Sequence, residues 1–283
     1  MTTTDSLTAK TGPVTVGDAE LWVDQRGSGP DVLLCAGLSD PAEAWEPQLQ
    51  ALSDRYRVTA FDNRGAGRSP MLPEGFTVAD MADDAAAILR ELGISAAHVA
   101  GFSGGSITAQ LLALRHPELV RSLVLTSTWA RPDAYSHSVV RFFAWLPDVA
   151  PSERAMLEAF FLWIYTPRAH NEGVVEQIIE EALAFPHPQP PEAFKAQLEA
   201  WTGHDDLDRE RAERLHEISV PTLVVAGELD IASPPPYGRV VAEQIPGAEF
   251  IVLPGEAHQP FQESPDQFNA MVDDFWRRVD GRT

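Results

Sequence analysis

Short, continuously apolar runs alternate with longer helical patterns along most of this 283-residue chain. Residues 32–35 (Val-Leu-Leu-Cys) carry no charged or strongly polar side chain, as a strand buried on both faces of a parallel sheet requires. Further strand patterns fall at 19–24, 56–61, 98–102, 119–126, 222–226 and 249–253, with a turn at 27–30. Val78, Met81, Ala82, Ala85, Ile88, Leu89 and Leu92 recur at i, i+3, i+4, i+7 spacing, which predicts an amphipathic helix capped by Thr77 and ended by Gly93. Helices are also predicted at 41–52, where Pro47 counts against a helix interior, at 104–115 and at 266–279. The last has Ser264 as its expected cap and Pro265 in its first turn. Strand–helix alternation of this kind predicts an α/β fold: a mostly parallel, doubly wound sheet with right-handed crossovers.

The rhythm breaks between residues 129 and 217, where helical patterns run without a strand. This stretch carries Phe142, Phe143, Trp145, Phe160, Phe161, Trp163, Tyr165, Phe185 and Trp201, with a stiff Pro-rich link at 186–191. The expected organisation is a loose tail at 1–12, a core at 13–128 and 218–283, and a helical cap at 129–217. Most of the aromatics belong to the core of that cap; Trp129, Phe143 and Phe161 are the expected ones facing a ligand. Arg131, Arg141 and Arg168 are candidates for a substrate carboxylate, although a cap arginine more often pairs with Glu.

Composition removes several functions. Lys plus Arg is 21 against 42 Asp plus Glu, a formal net charge of −21, so neither nucleic acid nor an anionic membrane surface is an expected partner. One cysteine, Cys35, allows no intramolecular disulfide and no Cys-based zinc site, and its neighbours mark it as a small buried residue. The polar first residues lack a signal-peptide core, and no apolar run is long enough to span a bilayer. A soluble cytoplasmic protein is therefore expected; oligomeric state is not legible.

Gly101-Phe102-Ser103-Gly104-Gly105 is a G-x-S-x-G sequence at the end of a predicted strand and the start of a predicted helix. That context makes a sharp turn that presents the serine hydroxyl beside a helix N-terminus. A serine needs a base, and the base needs an orienting acid. His258, in the loop after the last strand, is the best-placed base; the other histidines lie in the expected cap or flank strands and helix ends. Asp230, after the strand at 222–226, is the preferred acid, with Glu228 its rival. The backbone N–H groups of Gly104 and of Leu38, in the loop after residues 32–35, are the expected oxyanion-hole donors. Ser106, Ser127 and Trp129 either edge the pocket or pack at element ends.

On these residues the chain resembles the α/β-hydrolase superfamily along nearly its whole length. The resemblance rests on the Gly37 loop, Asp62-Asn63-Arg64-Gly65-Ala66-Gly67-Arg68-Ser69, the serine turn, residues 221–230, and residues 255–265 ending in Glu263-Ser264-Pro265. The order Ser103, Asp230, His258 is the order that resemblance implies. Within the superfamily the chain is most similar to 3-oxoadipate enol-lactonases and aclacinomycin methylesterase-like serine esterases. Ala36 departs from the His-Gly pair of most members, so the bonds bracing the oxyanion loop are expected to differ. Gly104 stands where members commonly carry Met or Leu, which is expected to leave room beside Ser103. The resemblance implies hydrolysis of a small-to-medium, moderately apolar ester or lactone through an acyl-enzyme, without metal or organic cofactor. Two alternatives stay open: other chemistry on the same fold (C–C bond hydrolase, lyase, acyltransferase or perhydrolase), and a ligand receptor.

Overall fold

The computed structural model describes residues 10–17, 19–71 and 75–282. Its described strands are β1 (Thr11–Val16), β2 (Ala19–Gly27), β3 (Asp31–Cys35), β4 (Arg57–Phe61), β5 (Ala97–Phe102), β6 (Val120–Thr126), β7 (Thr222–Gly227) and β8 (Glu249–Leu253). They form one sheet in the order β1-β2-β4-β3-β5-β6-β7-β8. β2 pairs antiparallel with β1 and β4, and every other neighbouring pair is parallel. The central strands β5 and β7 are buried along their whole length, which explains their unbroken apolar runs.

β1 corrects the expected tail: residues 11 and 12 are strand, and residues 1–9 lie outside the described residues. Thr11-Gly12-Pro13 has the composition of a turn, and pairing with β2 is what extends it. Pro13 is tolerated because β1 is an edge strand. Val14 and Val16 alternate inward and are buried.

Helices α1 (Glu46–Leu52), α2 (Val78–Glu91) and α3 (Gly104–Arg115) precede β6. Pro47 lies in the first turn of α1, where its missing N–H has no intrahelical partner to lose. Thr77 and Asp80 form a capping box that starts α2. Between β6 and β7 the chain is helical: α4 (Ala134–Val149), α5 (Glu153–Phe161), α6 (Pro167–Asn171), α7 (Val174–Ala184), α8 (Pro191–Thr202) and α9 (Asp205–Arg214). α10 (Pro235–Gln244) joins β7 to β8, and α11 (Pro260–Glu263) and α12 (Pro265–Val279) close the chain. Ser264 occupies the N-cap position of α12 without capping it; its hydroxyl donates instead to Glu256 Oε1 at 2.7 Å.

One apolar layer packs α2, α3 and α10 on one face of the sheet, and a second packs α1, α11 and α12 on the other. A third cluster, from Val139 to Leu198, belongs to the segment between β6 and β7 and meets the rest of the protein at Leu38. Among the described residues no helix is long and apolar enough to cross a membrane.

Candidate active site

The turn from β5 into α3 holds Ser103 at φ 51° and ψ −124°, a region that non-glycine residues rarely adopt. The turn is that tight because its neighbours lack side chains. A Cβ on Gly101 would run into the carbonyl of Gly105, and one on Gly105 into the carbonyls of Cys35 and Ala36. Ser103 Oγ lies 3.1 Å from His258 Nε2, and His258 Nδ1 lies 2.7 Å from Asp230 Oδ2. Asp230 Oδ1 accepts the N–H groups of Ala232 at 2.9 Å and Ser233 at 2.8 Å, so this buried carboxylate is fixed through both oxygens. A carboxylate at Nδ1 places the imidazole proton there and leaves Nε2 as an acceptor facing the serine. Glu228, the rival acid, is exposed and accepts the Gly255 N–H at 2.9 Å.

The backbone of His258 is held from two sides. Its N–H donates to the carbonyl of Ile164 at 3.0 Å, and its carbonyl accepts from Ser127 Oγ at 2.8 Å. Ser127 itself has φ 51°, and Ser106 Oγ donates to the Ser103 carbonyl at 2.6 Å. Both serines are buried supports, not cavity walls.

Leu38 and Gly104 line the same cavity as Ser103. The backbone before Leu38 passes so close that a Cβ on Gly37 would lie 2.7 Å from the Phe102 ring and 3.3 Å from Ser103 Cβ. Two amides brace this loop. Asn63 Nδ2 donates to the Ala36 carbonyl at 3.0 Å, and the Ser39 N–H donates to Gln197 Oε1 of α8 at 3.0 Å. These are the bonds found with Ala36 in its place.

A cavity of about 80 Å³ lies over Ser103, walled by Leu38, Gly104, Trp129, Val139, Phe143, Phe160, Ile164, Leu198, Trp201 and His258 among others. The space beside Gly104 is not free: a Cβ there would enter the indole of Trp201, whose Nε1 donates to Thr108 Oγ1 at 3.2 Å. Trp129 and Phe143 face this cavity. Phe161 instead lines a second cavity of about 190 Å³ that shares Leu38 and Phe160 with the first. Arg131 is exposed and lines neither: its side chain faces solvent between the buried Ala130 and Pro132. Arg141 is exposed and bonds Ser138 Oγ, and Arg168 pairs with Glu256 at 3.0 Å. Sequence reasoning passed over Asp40, which lines the second cavity; burial pushes its carboxyl up to about 7 against the opposing pull of His258. Its signal was its position two residues after Leu38. Among the described residues no group of three or more His, Cys, Asp or Glu side chains is arranged to hold a metal.

Residues 30–168 match the family described as having the alpha/beta hydrolase fold. Over 268 residues, 93 % of this chain and 97 % of the relative, the sequence is 35 % identical to the proposed carbamate hydrolase RutD of Azorhizobium caulinodans. The chain belongs to the α/β-hydrolase family. A second RutD, from a Caulobacter species, is 33 % identical to this α/β hydrolase over 86 % of the chain and 89 % of the relative. Among solved structures, the enol-lactonase from Burkholderia xenovorans superposes with a TM-score of 0.81 at 29 % identity, covering 93 % of this chain and 99 % of that one. A hydrolase from Pseudomonas aeruginosa gives 0.82 at 26 % identity, covering 94 % and 98 %. An α/β hydrolase of this kind acts on a small molecule. Ser103 lies inside the matched stretch, and Asp230 and His258 lie beyond it.

Proposed function

We propose that this α/β hydrolase cleaves a small-to-medium, moderately apolar carboxylic ester or lactone through an acyl-enzyme on Ser103. The supporting observation is the line Ser103–His258–Asp230, at 3.1 and 2.7 Å, set in a strained turn beneath an apolar cavity. Ser103 Oγ attacks the carbonyl carbon while His258 Nε2 takes its proton, and Asp230 stabilises the imidazolium that forms. The N–H groups of Gly104 and Leu38 receive the negative charge on the carbonyl oxygen. The imidazolium then protonates the leaving alcohol; water, deprotonated by His258, releases the acid and restores Ser103. Helices α4–α9 act as a cap that keeps the cavity apolar and limits bulk water.

The test is intact-mass analysis after exposure to a fluorophosphonate, with Ser103→Ala alongside, followed by an ester and lactone panel. One adduct on the wild type, none on the variant, and a turnover loss of about 10⁶ are expected. A variant that keeps within a hundredfold of wild-type turnover rejects the reading. Similarity to RutD supports a second reading, attack of the same serine on a carbamate carbonyl. Matched ester and carbamate substrates sharing one alcohol separate the two by kcat/KM.

A further inference from the structure

The cavity over Ser103, about 80 Å³, is small for a whole medium-sized substrate, and the larger chamber adjoins it. Leu38 and Phe160 belong to both walls, so a group bound to Ser103 that projects past them enters the chamber of about 190 Å³. Most of its lining is apolar, including Met156, Leu157, Phe161, Ile178 and Phe194. The charged side chains in that lining are carboxylates: Asp40, Glu43 and Glu181. Glu43 is engaged by Arg68, and Glu181 accepts from Gln177 Nε2 at 2.8 Å near the rim. Asp40 is different. Its Oδ2 accepts from Gln259 Nε2 at 3.2 Å, and its Oδ1 has no hydrogen-bond partner among the described residues. Gln259 follows His258 directly, so this half-satisfied carboxylate stands where the chamber adjoins the reacting groups. Asp40 is only partly buried, and a donor that reached Oδ1 would complete the set of hydrogen bonds this carboxylate can accept.

We propose that the second chamber is a substrate subsite that takes an apolar chain ending in a hydrogen-bond donor, an ammonium or an amide N–H, and excludes a chain ending in a carboxylate. This rests on the proposed ester chemistry at Ser103 and names the substrate class for it. It also runs against a carboxylate-bearing lactone as the substrate. Neither chamber is lined by an arginine or lysine, and Arg131, Arg141 and Arg168 all face elsewhere.

The test uses matched p-nitrophenyl esters of hexanoic acid, 6-aminohexanoic acid and adipic acid (half-ester). A parallel acetate series carries pentyl, 5-aminopentyl and 4-carboxybutyl alcohols. Both are read at pH 8, where Asp40 is ionised, and in about 0.5 M NaCl, where the Debye length of a few ångström screens the acidic surface. In at least one series the wild type is expected to favour the ammonium substrate over the carboxylate substrate by at least tenfold in kcat/KM. Asp40→Asn is expected to shrink that ratio at least threefold, and Glu181→Gln, at the exposed rim, to shrink it less. Ala182→Trp, which fills the chamber, is expected to lower kcat/KM for the hexanoyl or pentyl substrate relative to p-nitrophenyl acetate. Equal ammonium and carboxylate rates in both series, a ratio that neither variant moves, or an unchanged chain-length preference in Ala182→Trp would each overturn the proposal. Calorimetric titration of the wild type with hexylammonium and with hexanoate judges the chamber without turnover. Binding of the first alone supports it, and any other result rejects it. Absence of both the fluorophosphonate adduct and ester turnover would instead reject the chemistry at Ser103.

Discussion

A Cβ on Gly104 would enter the indole ring of Trp201, so the residue after the serine and a side chain of α8 are fitted to one another. Gly104→Ala therefore overpacks the wall of the Ser103 cavity, at a cost of about 1–3 kcal/mol, and displaces a proposed oxyanion donor. Melting curves and kcat/KM for p-nitrophenyl acetate should fall together in that variant. Adding Trp201→Ala to it should restore part of the kcat/KM while leaving the melting temperature low, because removing a buried Trp side chain leaves a void. This pairing was out of reach of the sequence. Gly104 and Trp201 contact across 97 positions, and a missing side chain reads as free space until its neighbour is seen. Asp40 was silent for the same reason: nothing local shows that Gln259 and a cavity meet it. The serine turn was legible because Gly101 and Gly105, which permit it, adjoin Ser103 in the chain.

Residues 164–168 and 256–263 behave as one element made of two strands of sequence. Ile164 accepts the His258 N–H, Tyr165 bonds Gln259, Thr166 bonds Glu263, and Arg168 pairs with Glu256. Thr166 Oγ1 also accepts the Ala169 N–H at 3.1 Å, which caps α6. Thr166→Val keeps the shape and removes both bonds. It should cost about 1–2 kcal/mol in urea denaturation. It should also speed amide hydrogen exchange in both stretches; acceleration in 164–169 alone would show that the two are not coupled. Here sequence reading met a limit of another kind. Ser264 before Pro265 has the pattern of a helix cap, yet Glu256, eight residues upstream, takes its hydroxyl. β1 was hidden because Thr11-Gly12-Pro13 carries turn chemistry and becomes strand through its partner. The inner strands and α2, whose periodicity is set by burial alone, could be placed from the sequence.

At the scale of the whole molecule, stability should depend on pH through His98. It lies buried in β5, stacked on Trp276 of α12 with ring centroids 5.6 Å apart, and its Nδ1 lies 2.7 Å from Ser122 Oγ. Burial pulls its pKa down to about 4, although Asp280, 3.3 Å from Nε2, pulls the other way. Between pH 6.5 and 4 the unfolded chain therefore holds a proton at this residue that the folded protein does not. Stability is fully present above 6.5 and is lost as pH falls through that window, by up to about 3 kcal/mol. Urea titrations from pH 7 to 4.5 should show a flatter dependence in His98→Gln than in the wild type; equal slopes would remove His98 from the account. The bonds between residues 164–168 and the His258 loop carry a different consequence, for exchange of parts between relatives. A graft that replaces α4–α9 with the equivalent helices of another hydrolase also replaces the carbonyl that holds the His258 N–H. The two segments are thus best exchanged as a pair, because a chimera that takes one alone loses the side-chain partners that Tyr165, Thr166 and Arg168 find in Gln259, Glu263 and Glu256.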